Sequence, residues 1–198
     1  LHRASEKALQ AAESVQTLAA ASGIAKPGEF NEAWRKLLFN EFHDVMAGTC
    51  VETTFAETRD RFGSTLDTAR EALLRDTYRL ARRVDTRGEK GSVLFALNPL
   101  PWKRTALVQF DTFIAPHGDE EIFALETRSG ERVPLQWLGA EANFGPCGAR
   151  WGKFTALLEL PAGGYRDFRV LTRPVSQRPA VTPKPARKTK QPALTSLT

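Results

Sequence analysis

Apolar residues recur at steps of three and four along the first part of the chain, the spacing that keeps one face of an α-helix apolar. Three such segments predict helices over residues 1–21, from Glu29 to Met46 and from Cys50 to Val84. Gly23 and Gly48 follow the first two segments, where glycine readily takes the left-handed conformation that ends a helix. Because the connections are short, we expect a three-helix bundle with up-down-up topology.

Each predicted helix has an apolar stripe that would face the core of the bundle. In the first helix the stripe is Leu1, Ala4, Ala8, Ala11, Ala12, Val15, Leu18 and Ala19. In the second it is Phe30, Trp34, Leu37, Leu38, Phe42 and Val45. In the third it is Val51, Phe55, Phe62, Leu66, Ala69, Leu73, Leu80 and Val84. The alanine-rich first helix would therefore pack closely while burying little area per residue.

The pattern changes after Asp85, where the apolar period shortens towards two and turn residues separate the segments. Six strands are predicted, over Ser92–Leu97, Thr105–Phe110, Glu121–Glu126, Val133–Leu138, Phe154–Leu160 and Tyr165–Leu171. Short antiparallel strands after a helical bundle define the α+β class. A β-sandwich normally needs about seven strands or more, so the sequence predicts a partial antiparallel β-sandwich.

Charge separates the main part of the chain from its end. The net charge is +5, but six basic and no acidic residues follow Leu171, so the preceding part carries 22 basic against 23 acidic residues. Five prolines in the same end segment favour disorder. We therefore expect a helical domain over residues 1–86, the start of a β-sandwich domain over 91–171 and a disordered basic tail over 172–198. The tail lacks interleaved aromatic residues, so no nucleic-acid partner is predicted.

The two cysteines, Cys50 and Cys147, lie far apart and in no metal-binding spacing. Reduced thiols and a cytoplasmic location are the default for such a chain. No apolar run reaches the roughly 18 residues that a membrane span needs, so we expect no membrane partner. The chain opens on Leu1 within a predicted helix, which we interpret as a fragment or a processed product.

His43 and Asp44 are the main candidates for chemistry, because ligand-type side chains here follow directly on an apolar helical pattern. An imidazole nitrogen is the commonest side-chain metal ligand, and a neighbouring carboxylate can ligate, orient the ring or bind a substrate hydroxyl. The alternative is a histidine near a helix C-terminus, where a positive charge is favoured. A zinc site needs three or four ligands, and His2 and His117 form no metal-type pair with these residues. The residues alone leave both interpretations open.

Other motifs indicate little chemistry. Trp102, Trp137 and Trp151 could stack on sugar rings, but tryptophans spread over several strands are more often core or sheet-face residues. No phosphate-binding, dinucleotide or serine-hydrolase motif occurs, and no carboxylate pair is placed by the sequence for glycosidase chemistry. We therefore predict no catalytic residue in this chain.

The segment from Trp34 to Thr49 resembles the middle helical domain of glycoside hydrolase family 38, the α-mannosidases. The matching residues are Trp34, Leu37, Leu38, Asn40, Glu41, Phe42, His43, Asp44, Val45, Met46, Ala47, Gly48 and Thr49. Downstream, Asn98-Pro99-Leu100-Pro101-Trp102-Lys103-Arg104 is similar to the segment that opens the family's β domain, and Leu160-Pro161-Ala162-Gly163-Gly164-Tyr165 to a later turn. The resemblance covers roughly residues 1–171, and the tail does not fit it.

The resemblance implies a retaining, exo-acting hydrolase that removes terminal α-mannosyl residues with one zinc ion. His43 matches the zinc ligand that the family's helical domain supplies, and Asp44 matches a position that hydrogen-bonds sugar hydroxyls. In the family, the other ligands and the nucleophile belong to an N-terminal domain. The implied partners are therefore that domain and a mannose-containing glycan, and we expect the isolated chain to be inactive.

Two residues depart from the family pattern, since Glu41 and Ala47 stand where glutamine and proline are commoner. Neither is a ligand position, so the departures concern the shape of the loop. The alternative function is a non-catalytic carbohydrate-binding or interaction module that kept the fold without the catalytic domain.

Overall fold

A computed structural model describes residues 1–26, 28, 30–89, 91–114, 120–141 and 150–177. The helices in this part of the chain are α1 (His2–Ala21), α2 (Asn31–Phe39), α3 (His43–Met46) and α4 (Glu52–Ala81). The strands are β1 (Val93–Asn98), β2 (Arg104–Ile114), β3 (Glu120–Thr127), β4 (Arg132–Pro134), β5 (Gln136–Glu141), β6 (Arg150–Leu160) and β7 (Gly164–Pro174). The predicted α+β class is confirmed. None of the described helices is long and apolar enough to cross a membrane.

Helices α1 and α4 run in the same direction and bond through buried polar side chains. The Ser5 hydroxyl donates to the Phe62 carbonyl at 3.2 Å, and the Gln16 amide donates to the Asp76 carboxylate at 3.5 Å. These bonds allow Ser5 and Gln16 to be buried. The buried face of α1 therefore includes polar residues and differs in part from the predicted alanine stripe. The buried residues are Ser5, Leu9, Ala12, Val15, Gln16 and Ala19, while Leu1 is exposed.

Helix α2 runs opposite to α4 and ends earlier than the sequence predicts. The Thr65 hydroxyl donates to the Ala33 carbonyl, and the Asn40 amide donates to the Thr58 carbonyl at 3.1 Å. Asn40 is fully buried there, and the chain turns at this residue. The helix predicted from Glu29 to Met46 is therefore two helices, α2 and α3, and the described residues form four α-helices where the sequence predicts three.

The break at the end of α2 changes which apolar side chains are buried. The helical core consists of Leu9, Ala12, Phe30, Ala33, Leu37, Phe62, Ala69 and Ala72. The prediction that Leu38, Phe42, Val51 and Phe55 are buried is wrong, since all four are exposed. They lie on the turns and helix ends around α3, outside the helical core formed by α1, α2 and α4.

The strands described after Asp85 form two antiparallel sheets, one with strand order β1-β7-β3-β4 and one with order β2-β6-β5. The single strand predicted from Val133 to Leu138 is divided at Leu135: β4 pairs with β3 in the first sheet, and β5 pairs with β6 in the second. Both sheets contribute to one apolar cluster, formed by Ala96, Leu125, Ala156, Leu158, Leu160, Phe168 and Val170. A sandwich completed by further strands stays a prediction.

Strand β7 extends past the predicted start of the disordered tail. Arg173 pairs with Glu121 and Thr172 with Ile122 in the antiparallel ladder, so the boundary predicted at residue 172 is wrong. A 3-10 turn over Val175–Gln177 follows. The remainder of the predicted tail, together with His117 and Cys147, lies outside the described residues.

Asn98 joins the two β-domain motifs of the sequence. Its buried amide donates to the Trp102 carbonyl at 2.8 Å and to the Pro161 carbonyl at 2.7 Å. The Gly163 N–H donates to the Leu100 carbonyl at 2.7 Å across the same junction. These motif residues therefore hold two turns together, which is a structural role.

Candidate functional site

Helix α3 is a single turn that places His43 and Asp44 at its start. Phe42 precedes it in an extended conformation, with φ −57° and ψ 139°. The N–H groups of Val45 and Met46 both donate to the Phe42 carbonyl at 3.0 Å. His43 thus begins a four-residue helix and does not close a long one. The alternative interpretation places His43 near a helix C-terminus, whereas the structure places it at the first residue of α3.

The side chains of His43 and Asp44 both face solvent. Their exposed fractions are 79% and 56%, and His43 Nε2 lies 3.5 Å from Asp44 Oδ1. The Phe42 ring lies against the imidazole, with 4.3 Å between ring centroids. The pair is therefore presented outward, with the imidazole supported by an aromatic ring.

The backbone after α3 is fixed by Gly48 and Thr49. Gly48 has φ +75°, a left-handed conformation that glycine adopts without strain. The Thr49 N–H and hydroxyl then donate to the Asp44 carbonyl at 3.0 and 3.2 Å. Asp44 is thereby anchored through its main chain while its carboxylate stays exposed. The sequence indicates the glycine stop, but it does not indicate the bonds from Thr49.

Glu41 has a structural partner that sequence reasoning missed. His2 Nε2 lies 2.8 Å from Glu41 Oε1, and the His2 ring packs edge-on against Phe62 at 5.7 Å between centroids. The contact ties the turn before α3 to the start of α1. His2 therefore helps to hold this turn in place. Its contact gives Glu41 a structural role, at a position where glutamine is commoner in the family.

Several large apolar side chains are exposed around the candidate site. They are Leu38, Phe39, Phe42, Met46, Val51 and Phe55, which we call the α3-flanking apolar residues. The guanidinium of Arg61 covers part of this surface, since it lies 4.8 Å from the centroid of the Phe39 ring. Soluble proteins seldom leave large apolar groups uncovered together, so this end of the helical region has the character of a contact surface.

The donor set in this part of the chain matches part of a metal site. The described residues contain no group of three or more His, Cys, Asp or Glu side chains that could hold a metal ion. His43 offers an exposed imidazole, and Asp44 offers a carboxylate beside it. Because a catalytic zinc needs at least three protein ligands, the pair fits a metal only together with ligands from elsewhere.

The three tryptophans of the β region are each about half exposed. The Trp137 ring packs edge-on against Phe154 at 5.1 Å, and the Trp151 ring packs edge-on against Phe113 at 6.4 Å between centroids. Both therefore pack against cross-strand aromatic neighbours, as sheet-face residues do.

Comparisons with known proteins agree with the sequence motifs. The family model of the alpha mannosidase middle domain matches residues 1–80. An alpha-mannosidase from Enterococcus faecalis V583 has a similar structure, with a TM-score of 0.65, 18% identity and 87% of this chain covered. A glycosyl hydrolase family 38 protein from Enterococcus faecalis also has a TM-score of 0.65, with 17% identity and 87% coverage. The comparison with curated proteins gives no significant match.

This chain covers 23% and 24% of the two solved structures, so it spans about a quarter of their length. The motif around His43 lies within the matched segment of the helical region. The resemblance indicated by the sequence is therefore confirmed: residues 1–80 are similar to the α-mannosidase middle domain, and the fold of most of the chain is that of a region of these two solved structures.

Proposed function

We propose that this chain is the middle and early C-terminal part of a zinc-dependent, retaining α-mannosidase that removes terminal α-mannosyl residues. In the proposal His43 is one zinc ligand, and Asp44 hydrogen-bonds hydroxyl groups of the sugar. The match of residues 1–80 to the α-mannosidase middle domain is the observation that carries the proposal. The outward presentation of both side chains supports it, because buried side chains could not reach a metal held by another domain.

The chemistry of the pair suits these roles. A bound zinc ion polarises the substrate oxygens that it contacts and stabilises charge that develops in the transition state. His43 would hold the metal through an imidazole nitrogen, with Phe42 limiting the orientations of the ring. When ionised, the Asp44 carboxylate is a hydrogen-bond acceptor without a donor, which suits recognition of sugar hydroxyl groups. The Thr49 bonds to the Asp44 main chain would keep that carboxylate in position.

The proposed partner is an N-terminal domain that brings the remaining ligands and the nucleophile. The α3-flanking apolar residues support this, since a domain docked on them would cover a surface that is otherwise exposed. The isolated chain would then be unable to hydrolyse a mannoside. A mannose-containing glycan as the substrate and a cytoplasmic location are further parts of the proposal.

The direct test is a chimera in which residues 1–171 replace the corresponding region of the Enterococcus faecalis α-mannosidase. We expect the chimera to contain zinc and to hydrolyse an aryl α-mannoside. In the chimera, His43→Ala should reduce both zinc content and kcat, and Asp44→Asn should raise KM or lower kcat with zinc retained.

His2→Gln is the matched control, because it removes another histidine while an amide can still bond Glu41. Zinc content and hydrolysis should be unchanged in this variant. An active chimera in which His43→Ala leaves zinc content unchanged would refute the ligand role. Hydrolysis of the mannoside by the unmodified 198-residue chain alone would refute the proposed division between two domains.

The half-exposed tryptophans favour a second candidate, a non-catalytic carbohydrate-binding module. Calorimetric titration of the chain with mannose distinguishes the two functions. The α-mannosidase proposal expects no saturable binding, because the sugar site would need the other domain. Binding that is lost in a Trp151→Ala variant would support the module instead.

A further inference from the structure

A shallow surface cavity of about 280 Å³, open to solvent, lies where the C-terminal ends of α1 and α4 meet, and it is lined by Ile24, Arg79, Arg82 and Arg83. Helix α4 contains 30 residues, which span roughly 45 Å. Since α3 lies near the start of α4, the cavity is far from His43 and Asp44. It belongs to no part of the proposed mannosidase site.

The arginines around this cavity exceed the negative charge that faces them. Arg75 and Arg79 bond to the buried carboxylate of Asp76 at 3.2 and 2.9 Å. Arg82 and Arg83 are exposed, and the ion pairs found in the described part of the chain include neither of them. The C-termini of α1 and α4 each carry about half a negative charge, so the four guanidinium groups and Asp76 leave an excess of about two positive charges.

Three main-chain carbonyls at this end of α4 accept hydrogen bonds from the backbone that follows them. The N–H groups of Arg82, Arg83 and Val84 donate to the carbonyls of Tyr78, Leu80 and Ala81 at 3.0 Å. At the end of α1 the N–H groups of Gly23 and Ile24 donate to the carbonyls of Ala20 and Ala19. These carbonyls are therefore capped by main-chain N–H groups and not by the guanidinium groups that line the cavity.

We propose that this cavity binds a phosphate group, either as inorganic phosphate or as a phosphate monoester of a sugar. A guanidinium has five N–H donors in a planar fork that matches the oxygens of a phosphate, and such charge-assisted bonds are about twice as strong as neutral ones. Arg79 uses one nitrogen, Nη1, on Asp76, which leaves donors that can face the cavity. The apolar side chain of Ile24 forms the remaining wall and suits an attached carbon skeleton.

The test is calorimetric titration of the full chain near neutral pH, with inorganic phosphate and with a hexose 6-phosphate, at ionic strength held constant with sodium chloride. We expect saturable binding of both. A lower Kd for the hexose phosphate would assign the cavity to the ester, and equal values would assign it to the phosphate group itself. Either result supports the site, whereas no saturable binding of either ligand would overturn it.

Variants locate the binding. Arg82→Gln and Arg83→Gln should each raise the Kd at least about tenfold, the effect of losing one charge-assisted hydrogen bond. Arg59→Gln removes the same charge from an exposed position on α4 that is roughly 35 Å away and should leave the Kd within about twofold. Equal weakening in all three variants would show general electrostatic attraction and would overturn the proposal. Far-UV circular dichroism confirms that each variant keeps its helices.

Discussion

His2 Nε2 and Glu41 Oε1 lie 2.8 Å apart and join the first turn of α1 to the turn that leads into α3. The contact holds the segment bearing His43 against the helical core, although 39 residues separate the two partners. A local change at either residue should therefore affect the mobility of α3 more than the stability of the fold.

Glu41→Ala should leave global stability nearly unchanged, because a partly exposed pair contributes at most about 1 kcal/mol. The main-chain amides of residues 42–49 should nevertheless exchange hydrogen faster, since the turn loses its tie to α1. Hydrogen exchange with mass spectrometry measures both this segment and α4 as an internal reference. Glu41→Gln keeps a hydrogen-bonding group and should exchange like the wild type. Unchanged exchange in Glu41→Ala would show that the contact does not restrain the turn.

Asp76→Ala should lower the free energy of unfolding by about 1–3 kcal/mol, since the buried Gln16 amide loses its acceptor. Arg75 and Arg79 are about half exposed, so water can solvate their freed donors. Urea denaturation measures the loss. The control is Glu57→Ala, which removes an exposed carboxylate bonded to Arg61 on the same helix and should cost below about 0.5 kcal/mol. Equal losses in the two variants would contradict the structural role of Asp76.

The same carboxylate should make stability fall in acid. Burial raises the pKa of the Asp76 carboxyl. The hydrogen bonds that Arg75 and Arg79 donate, together with their positive charges, outweigh the effect of burial, so the pKa lies below its ordinary value of 3.8. A lowered folded-state pKa adds stability that is present above about pH 4 and is lost as the pH falls through the folded-state value. Urea midpoints measured downward from pH 5 should therefore fall more steeply in the wild type than in Asp76→Asn. Parallel curves would contradict this assignment.

Gly28→Ala and Gly63→Ala form a matched pair with opposite expected signs. A Cβ at position 28 would lie 2.5 Å from Gln16 Nε2, while Gln16 Oε1 accepts from the Gly28 N–H at 2.7 Å. Gly28→Ala should thus displace Gln16 and cost about 1–3 kcal/mol. Gly63 lies inside α4 with nothing within 4 Å of a Cβ, so Gly63→Ala should stabilise by about 0.5–1 kcal/mol. Thermal denaturation measures both. A neutral Gly28→Ala would show that Gln16 moves without loss.

Asn98→Ala should destabilise the β region by about 2–4 kcal/mol, because two carbonyl groups lose a buried donor. Asn98→Asp is the sharper variant, since a carboxylate has the same shape but faces the Trp102 and Pro161 carbonyls without a hydrogen to donate. It should be at least as destabilising as Asn98→Ala. The melting temperature and near-UV circular dichroism of Trp102 report the change. A tolerated aspartate would show that the junction does not depend on the donated bonds.

The sequence predicts the order and type of elements well because periodicity reports local structure. It fails where one long-range contact decides the outcome. The helical pattern continues through Asn40, yet α2 ends at Phe39, and the buried Asn40 side chain that follows donates to the Thr58 carbonyl of α4. Likewise, the alternation from Val133 to Leu138 is compatible with one strand, and its division at Leu135 depends on which sheet each half joins.

The candidate site was predictable in part. His43, Asp44 and the helix stop at Gly48 lie close together in the sequence, so one local motif predicts all three. The contact between His2 and Glu41 was not predictable, because it joins the start of α1 to the turn before α3, and packing decides how close these two segments lie. The arginine-lined cavity was not predictable either, since its wall at Ile24 comes from the end of a different helix.

The division at Leu135 also bears on how the β region unfolds. One residue separates β4, which is bonded to β3, from β5, which is bonded to β6. A connection of one residue cannot lengthen, so the two sheets cannot move apart unless β4 separates from β3 or β5 separates from β6. The two sheets should therefore open as one cooperative unit, and their amides should share a single exchange free energy.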